Sequence, residues 1–324
     1  MARSEISPAL LLAAGLGTRL QPLTSTRAKP AVPVNGQPLV RRILSWLAGH
    51  RVTDVVVNLH HRPETVAAIV GDGSDLGLRV RYSWEQPVLG SAGGPRHALP
   101  LLTDGRDGPF LIVNGDTLST VDITGLLARH AASCAAVTMA LIPNPDPFKY
   151  GGVQVSDDGY VTGFARAGDA GESFHFVGVQ AAEARAFADL EDGVPAESVN
   201  TLYPRLIAAD PGAIAAFVSD ASFSDIGTPR DYLDTSLALA DCEGDHLMST
   251  HRVTIHASAT VERTVVWDDV SVGRRVRLVE CIVGDGVRLR DGAAFERQVI
   301  VRQGALVPAA GERVEGDLLI RPIR

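Results

Sequence analysis

Residues Pro8–Val34 read PALLLAAGLGTRLQPLTSTRAKPAVPV, and this stretch holds both a first buried strand and a first candidate site. The apolar run Ala9–Ala13 suits a buried strand, and Gly15 and Gly17 end it in a turn. Thr18 and Arg19 follow, with Lys29 ten residues after Arg19. Glycines at a strand-to-helix turn let the backbone approach a ligand. Exposed N–H groups and a helix N-terminus then favour an anion. Arg19 offers a planar fork matched to phosphate oxygens, and Lys29 a compact charge. The only lysines are Lys29 and Lys149; the other basic residues are arginine, so a retained lysine points to a need for one. The pattern is not the dinucleotide fingerprint, because Leu20 stands where a third glycine would be. Nor is it a Walker A loop, since no Gly-Lys-Ser/Thr follows. A tight turn with solvated basic residues is the plainer alternative. Thr18, Arg19 and Lys29 together favour an anion site.

Working outward, strands and helices alternate. Pro38–Leu47 has helical spacing, Asp54–Asn58 reads as a strand, Pro63–Val70 as a helix, and Leu78–Tyr82 and Phe110–Val113 as strands. This alternation predicts an α/β fold with a Rossmann-like, mixed, mostly parallel sheet and helices on both faces. Ligands of such sheets bind beyond the strands' carboxyl ends, so "LLAAGLG" and "LIVNGD" are expected at one edge. From Pro143 the turn signal Asp157–Gly159 predicts a hairpin, expected as a lobe over that edge. Helical spacing returns at Ser198–Ala209, and Pro229 suits the start of a final helix. Val261–Arg277 aligns with Leu278–Ala294 at a period of 17. Apolar residues every five or six positions, with Gly and Asp at corners, predict a three-sided parallel β-helix of about four coils. The expected domains are 1–242 and 243–324.

A formal net charge of −8 argues against nucleic acid or an anionic membrane as partner, because both need a basic footprint. Cys134, Cys242 and Cys281 show neither metal spacing nor a disulfide framework. No cationic segment precedes the first apolar run, which glycine breaks early, so neither a signal peptide nor a membrane span is expected and the setting reads as cytoplasmic.

Phosphate chemistry also calls for a cation. Asp116, in "VNGDTL", follows a buried strand, and Asp225, in "FSDIGTP", precedes a helix. Mg²⁺ is commonly held by one or two carboxylates with substrate phosphates and water. Singly, each aspartate reads equally well as a turn or cap residue.

With these residues in view, the chain resembles the sugar-1-phosphate nucleotidyltransferases, the NDP-sugar pyrophosphorylases. It is most similar to the branch of mannose-1-phosphate guanylyltransferases and related bacterial uridylyltransferases. The resemblance is carried by "LAAGLGTRLQPLTSTRAKPAVPV", "LGSAGG" (Leu89–Gly94), "VNGDT", "YGGV" (Tyr150–Val153) and "SDIGTP" (Ser224–Pro229). It implies a Mg²⁺-dependent transfer from a nucleoside triphosphate to a sugar 1-phosphate, with a C-terminal left-handed β-helix. By the same resemblance Ala13, Ala14, Gly15, Gly17, Thr18 and Arg19 bind the nucleotide, with Gln86, Gly90, Gly93 and Asn114. Gly90 and Gly93 are expected in a Gly-rich turn against the base. Lys29 meets the phosphoryl group under attack, so that Arg19, Lys29 and Asp116 form the catalytic set, and Asp116 and Asp225 hold the metal. Tyr150, Gly151, Arg166, Gly178 and Glu197 face the sugar phosphate. Many members carry Glu-Lys-Pro after the middle hairpin. Here the stretch is "FARAG", which leaves Arg166 as the expected nearby cation.

GTP with mannose 1-phosphate is the expected substrate pair. The alternative is uridylyl transfer to another hexose 1-phosphate, of glucose or N-acetylmuramate type. A non-catalytic sugar-nucleotide sensor is disfavoured by the intact Arg19, Lys29, Asp116 and Asp225. Acyl transfer is disfavoured because the tail is short and its His246, His251 and His256 precede or open the first coil. His60 and His61 read as structural. The tail reads as an assembly or regulatory module, with a homo-oligomer expected through it, so a stop after residue 242 is expected to keep measurable nucleotidyl transfer while changing the oligomeric state or lowering stability. Leu318, Leu319 and Ile320 either cover the last coil or meet another subunit.

Overall fold

A computed structural model describes residues 7–104, 108–169, 171–249 and 251–324. The chain divides into two compact units. One comprises residues up to 15 with 42–223, the other residues 16–41 with 224–324. The segment after the first strand therefore folds with the C-terminal part of the chain.

The first unit is built on a nine-stranded mixed sheet. Its main path runs Val161–Ala165, Gly152–Val155, Phe174–Ala182, Phe110–Asn114, Ala9–Leu12, Asp54–Leu59, Arg79–Trp84. The last four of these are mutually parallel. Phe174–Ala182 joins antiparallel and also pairs with Val137–Pro143, which carries Ile214–Val218 on its far side. The central strands read as unbroken apolar runs because both faces are covered. Leu10, Val56 and Ile112 share one cross-strand row and pack against Ala92, Ala98 and Leu102 of the helix Gly90–Thr103. Ala9, Leu11, Val55 and Val57, on the opposite face, are equally inaccessible. Each fully buried Leu or Val of this kind contributes about 1.5–3 kcal/mol.

Several expectations are corrected. The hairpin around Asp157–Gly159 exists, but its strands extend the main sheet at its edge instead of forming a separate lobe. "LGSAGG" is no turn: it opens the fourteen-residue helix Gly90–Thr103. Ser198–Ala209 begins with a π turn, Ser198–Leu202, before the α-helix Tyr203–Ala209.

In the second unit, Pro229–Glu243 is a helix with Pro229 in its first turn and a Thr228/Asp231 capping box, each side chain accepting from the other's backbone. The tail is a parallel β-helix. Thr254, Ser271 and Arg288 stack in one sheet, Thr260, Arg277 and Ala294 in a second, Val265, Ile282 and Val299 in a third. Every step is 17 residues, as the sequence period requires. The corners take left-handed backbone at the same period: Arg252, Asp269 and Gly286 form one series, Arg263, Glu280 and Arg297 another. Three coils form. In place of a fourth, Leu318–Pro322 returns antiparallel along Gln298–Arg302, burying Leu318, Leu319 and Ile320. The chain thus covers its own last coil. No helix among the described residues is long and apolar enough to cross a membrane.

Candidate active site

The residues singled out in the sequence fall in both units, and each set is described in its own.

In the first unit, Leu12 lies opposite Asn114 at the ends of adjacent parallel strands. Ala13–Gly15 and Gly115–Asp116 therefore leave the sheet at one edge. Gly115 donates to the Leu12 carbonyl at 2.9 Å, and a Cβ there would sit 2.5 Å from that oxygen, so only glycine fits. Asp116 follows, half-buried. Ala13 N–H donates to Asn58 Oδ1 at 2.6 Å. Asn58 Nδ2 donates to Glu85 Oε1 at 2.6 Å, and Glu85 Oε2 accepts from Leu89 N–H at 2.8 Å. Asn58 and Glu85 are buried, so this chain of bonds fixes the exit of the first strand against the start of the Gly90–Thr103 helix. Nothing in the spacing of Asn58 or Glu85 announces this; both look like strand-end polar residues. Gln86, beside them, is exposed.

Gly90 meets the Glu197 carboxylate and the Ala196 carbonyl, and Gly93 meets backbone. A Cβ on Gly90 would lie 2.6 Å from Glu197 Oε1, and one on Gly93 2.7 Å from the Val194 carbonyl. Ala92 and Gly93 both donate to the Ala196 carbonyl, and Ser91 Oγ donates to Glu197 Oε2 at 2.7 Å. Glu197 is thereby held at the helix start.

The other candidate sugar-phosphate residues lie around the middle hairpin. Gly151 and Arg166 line a groove of about 840 Å³, with Phe164, Phe176 and Asn200. The Tyr150 ring lies tilted against His175, ring centres 4.5 Å apart, and Phe223 meets His175 edge-on at 4.5 Å. The Lys149 ammonium lies 5.0 Å from the Tyr150 ring, so Arg166 is not the sole cation here. His175 is buried, and neither ring nitrogen has a hydrogen-bond partner of normal geometry among the described residues. Burial pushes its pKa down to about 4, only partly offset by the Gly151 backbone. An uncharged imidazole held in an aromatic cage escaped the sequence reading, because "FHFVGV" looks like strand core. Gly178 sits where the register of Phe174–Ala182 shifts, at φ 80°, and a Cβ there would be 2.7–2.8 Å from Asn114. The bulge and the close approach both demand glycine.

In the second unit the expected helix after Gly17 is absent. Three single 3₁₀ turns follow instead, Thr18–Leu20, Leu23–Ser25 and Lys29–Ala31. The anion-binding argument therefore rests on loop N–H groups and side chains, without a helix N-terminus. Thr24 Oγ1 donates to the Gly17 carbonyl at 2.9 Å, and a Cβ on Gly17 would lie 2.8 Å from Thr24 Cγ2 and 3.3 Å from Lys29 Cβ. Lys29, twelve positions from Gly17, is thus folded back on it and is 8% exposed. Thr18 and Arg19 are exposed. A Cβ on Gly227 would lie 2.6 Å from Asp225 Oδ2 and 3.1 Å from Arg19 Nη1, so the loop before the last helix brings a carboxylate and this guanidinium to one glycine.

Arg27, between Arg19 and Lys29, was not singled out by its sequence position. Its Nε and Nη2 each donate to Asp285 at 2.7 Å, Nη2 reaches Asp268 at 2.5 Å, and its guanidinium lies 5.2 Å from the Trp267 ring. Burial works against its charge, but the two carboxylates outweigh it and hold its pKa above the usual value.

Asp116 and Asp225 are hard oxygen donors on half-buried loops. Their chemistry fits Mg²⁺, which takes one or two carboxylates and completes its shell from phosphates and water. No cluster of three or more metal-ligating side chains occurs among the described residues, so protein ligands alone form no cage.

Residues 8–241 match the nucleotidyl transferase family, and residues 241–298 match the GlmU-like C-terminal hexapeptide family. The chain belongs to the nucleotidyl transferase family and carries a hexapeptide β-helix after it. It is 29% identical to a mannose-1-phosphate guanylyltransferase of Mycobacterium tuberculosis over 300 residues, 89% of this chain and 83% of that one. It is 35% identical to an N-acetylmuramate alpha-1-phosphate uridylyltransferase of Neisseria meningitidis over 201 residues, 61% of this chain and 83% of that one. Among solved structures, HddC from Yersinia pseudotuberculosis superposes with a TM-score of 0.64 at 22% identity, covering 72% of this chain and all of that one.

Proposed function

We propose that the protein transfers a nucleoside monophosphate from a nucleoside triphosphate to a sugar 1-phosphate, giving an NDP-sugar and pyrophosphate. The observation that carries this reading is the gathering of Lys29 against Gly17, and of Arg19 and Asp225 at Gly227, within one unit. A phosphate oxygen of the sugar 1-phosphate attacks the α-phosphorus. The new P–O bond forms as the bond to the β-phosphate breaks, and pyrophosphate leaves. The nucleophile is already ionised at pH 7, so no general base is needed. The work is alignment of two polyanions and neutralisation of their charge. Lys29 neutralises the phosphoryl group under attack, and Thr18 and Arg19 hold the leaving pyrophosphate. Asp116 and Asp225 would hold Mg²⁺, which supplies further positive charge on the phosphate oxygens. Tyr150, Gly151 and Arg166 face the sugar phosphate.

GTP and mannose 1-phosphate are the substrate pair favoured by the guanylyltransferase relative, which matches along 89% of the chain. The uridylyltransferase relative, at higher identity over a shorter span, favours UTP with an N-acetylmuramate-type acceptor. A matrix of triphosphates against sugar 1-phosphates, scored by pyrophosphate release with Mg²⁺, decides between them. In the active pair, Lys29→Ala should cost about 3 kcal/mol of barrier, roughly a hundredfold in rate. Near-normal turnover by that variant would overturn the reading.

A further inference from the structure

The loop that carries Thr18, Arg19 and Lys29 has little structure of its own. Its three 3₁₀ turns span three residues each, and such turns hold their shape poorly when isolated. Within the loop, Thr24 Oγ1 donates to the Gly17 carbonyl and Thr26 Oγ1 to the Leu23 carbonyl. Further anchors come from residues 228–324 of the same unit. Arg321 Nη1 donates to the Gln21 carbonyl at 2.7 Å. Tyr232 OH donates to the Pro33 carbonyl and accepts from Trp267 Nε1 at 2.9 Å. Asn35 donates to the Gly244 carbonyl at 3.1 Å and accepts from His246 N–H at 2.9 Å.

Arg27 is the strongest of these anchors. Its two carboxylate partners, Asp268 and Asp285, are 17 residues apart, the same position in successive coils. Asp268 N–H also donates to Asp285 Oδ1, so the pair is tied together within the coils as well as through Arg27. The Arg27 side chain is 18% exposed and lies against Trp267, which is fully buried. A bidentate guanidinium on two fixed carboxylates and an indole holds both position and orientation. Two residues further on, Lys29 is close to Gly17.

We propose that the β-helix takes part in the transfer reaction, with Arg27 as the positioning residue through which the stacked Asp268 and Asp285 hold the Thr18–Lys29 loop in its phosphate-binding form. This rests on assigning that loop to the triphosphate. It differs from an assembly role, in which the tail would be dispensable to each active site.

The test uses the full-length chain. Arg27→Met keeps an apolar stem beside Trp267 and removes the fork. Arg27→Lys restores charge without bidentate geometry. Asp268→Asn with Asp285→Asn removes the acceptor charge. At a temperature where circular dichroism shows every variant folded, Arg27→Met should lower kcat/KM for the triphosphate about tenfold or more, with the sugar-phosphate KM changed less than about twofold. Arg27→Lys should recover part of the loss. The double aspartate change should cost a similar factor, and combining it with Arg27→Met should add little, because both break one interaction. Hydrogen exchange of the Gly17–Ala31 amides should rise in Arg27→Met irrespective of substrate. Folded Arg27→Met with unchanged kcat/KM, or with unchanged exchange in that loop, overturns the inference. A wild-type chain that turns over no pair while its loop still responds to Arg27→Met sinks the transferase reading and leaves the coupling of tail to loop standing.

Discussion

His175 is a buried imidazole with no hydrogen-bond partner of normal geometry among the described residues, held between Tyr150 and Phe223. A phenylalanine would fill that cage without leaving polar atoms unpaired. Because burial lowers its pKa from 6.5 to about 4, the folded chain resists a proton that the unfolded chain takes up. The stability it permits is complete above pH 6.5 and is lost as pH falls towards 4, by up to about 3 kcal/mol. His175→Phe should flatten that part of the curve. Urea unfolding at pH 7 and at pH 4.5 should show the variant losing about 2–3 kcal/mol less than wild type on acidification. Equal losses would mean that His175 is already protonated, or solvated, in the folded chain. Across the same unit, Asn58 and Glu85 are buried charge-bearing or amide groups of the opposite kind, fully engaged, and they fix the Ala13 amide in place.

At the scale of elements, the bulge at Gly178 links the hairpin strands to the central sheet. On one side of it Phe174–Phe176 pair with Leu141–Pro143; on the other Gln180–Ala182 pair with Val137–Met139. Gly178→Ala would place a methyl about 2.7–2.8 Å from Asn114 with φ at 80°. The left-handed backbone and the overpacking together should cost about 2–4 kcal/mol, read by chemical denaturation. A change within about 0.5 kcal/mol would show that the bulge relaxes freely. The strands, the Pro63–Val70 helix and the 17-residue coil are legible from sequence because their apolar periods are local. The Gly90–Thr103 helix is not, because glycines and an internal Pro95 and Pro100 mask it while its burial against Leu10 and Ile112 sustains it. Lys29 and Asp225 are drawn out of the sequence by the glycine-bearing motifs around them, and the structure puts each beside a glycine of its unit. Arg27 was not, since its partners lie more than 240 residues away and only the coil period brings Asp268 and Asp285 into one stack.

For the molecule as a whole, the anchors of the Thr18–Lys29 loop in the tail lead to a different expected outcome for truncation. Sequence suggested that a stop after residue 242 spares every site residue. It spares their identities. It removes Trp267, Asp268, Asp285, Gly244, His246 and Arg321, which anchor Arg27, Tyr232, Asn35 and the Gln21 carbonyl. Tyr232, buried and with its pKa pushed above the ordinary range by that burial, would lose the Trp267 donor and gain water. Arg27 would lose both carboxylates and its indole neighbour. The sheet of the first unit keeps its own core of Leu10, Val56, Ile112 and their neighbours, so the truncated chain should retain much of its strand and helix signal. Its loop should not retain its form. The expected outcome is a soluble chain with native-like circular dichroism and nucleotidyl transfer reduced about a hundredfold or more, a loss of placement and not of chemistry. Light scattering on the same sample separates this from assembly. Activity that falls in a chain of unchanged oligomeric state assigns the tail to the loop. Activity that survives while the oligomer dissociates assigns it to assembly, and the Arg27 anchor would then be structural only.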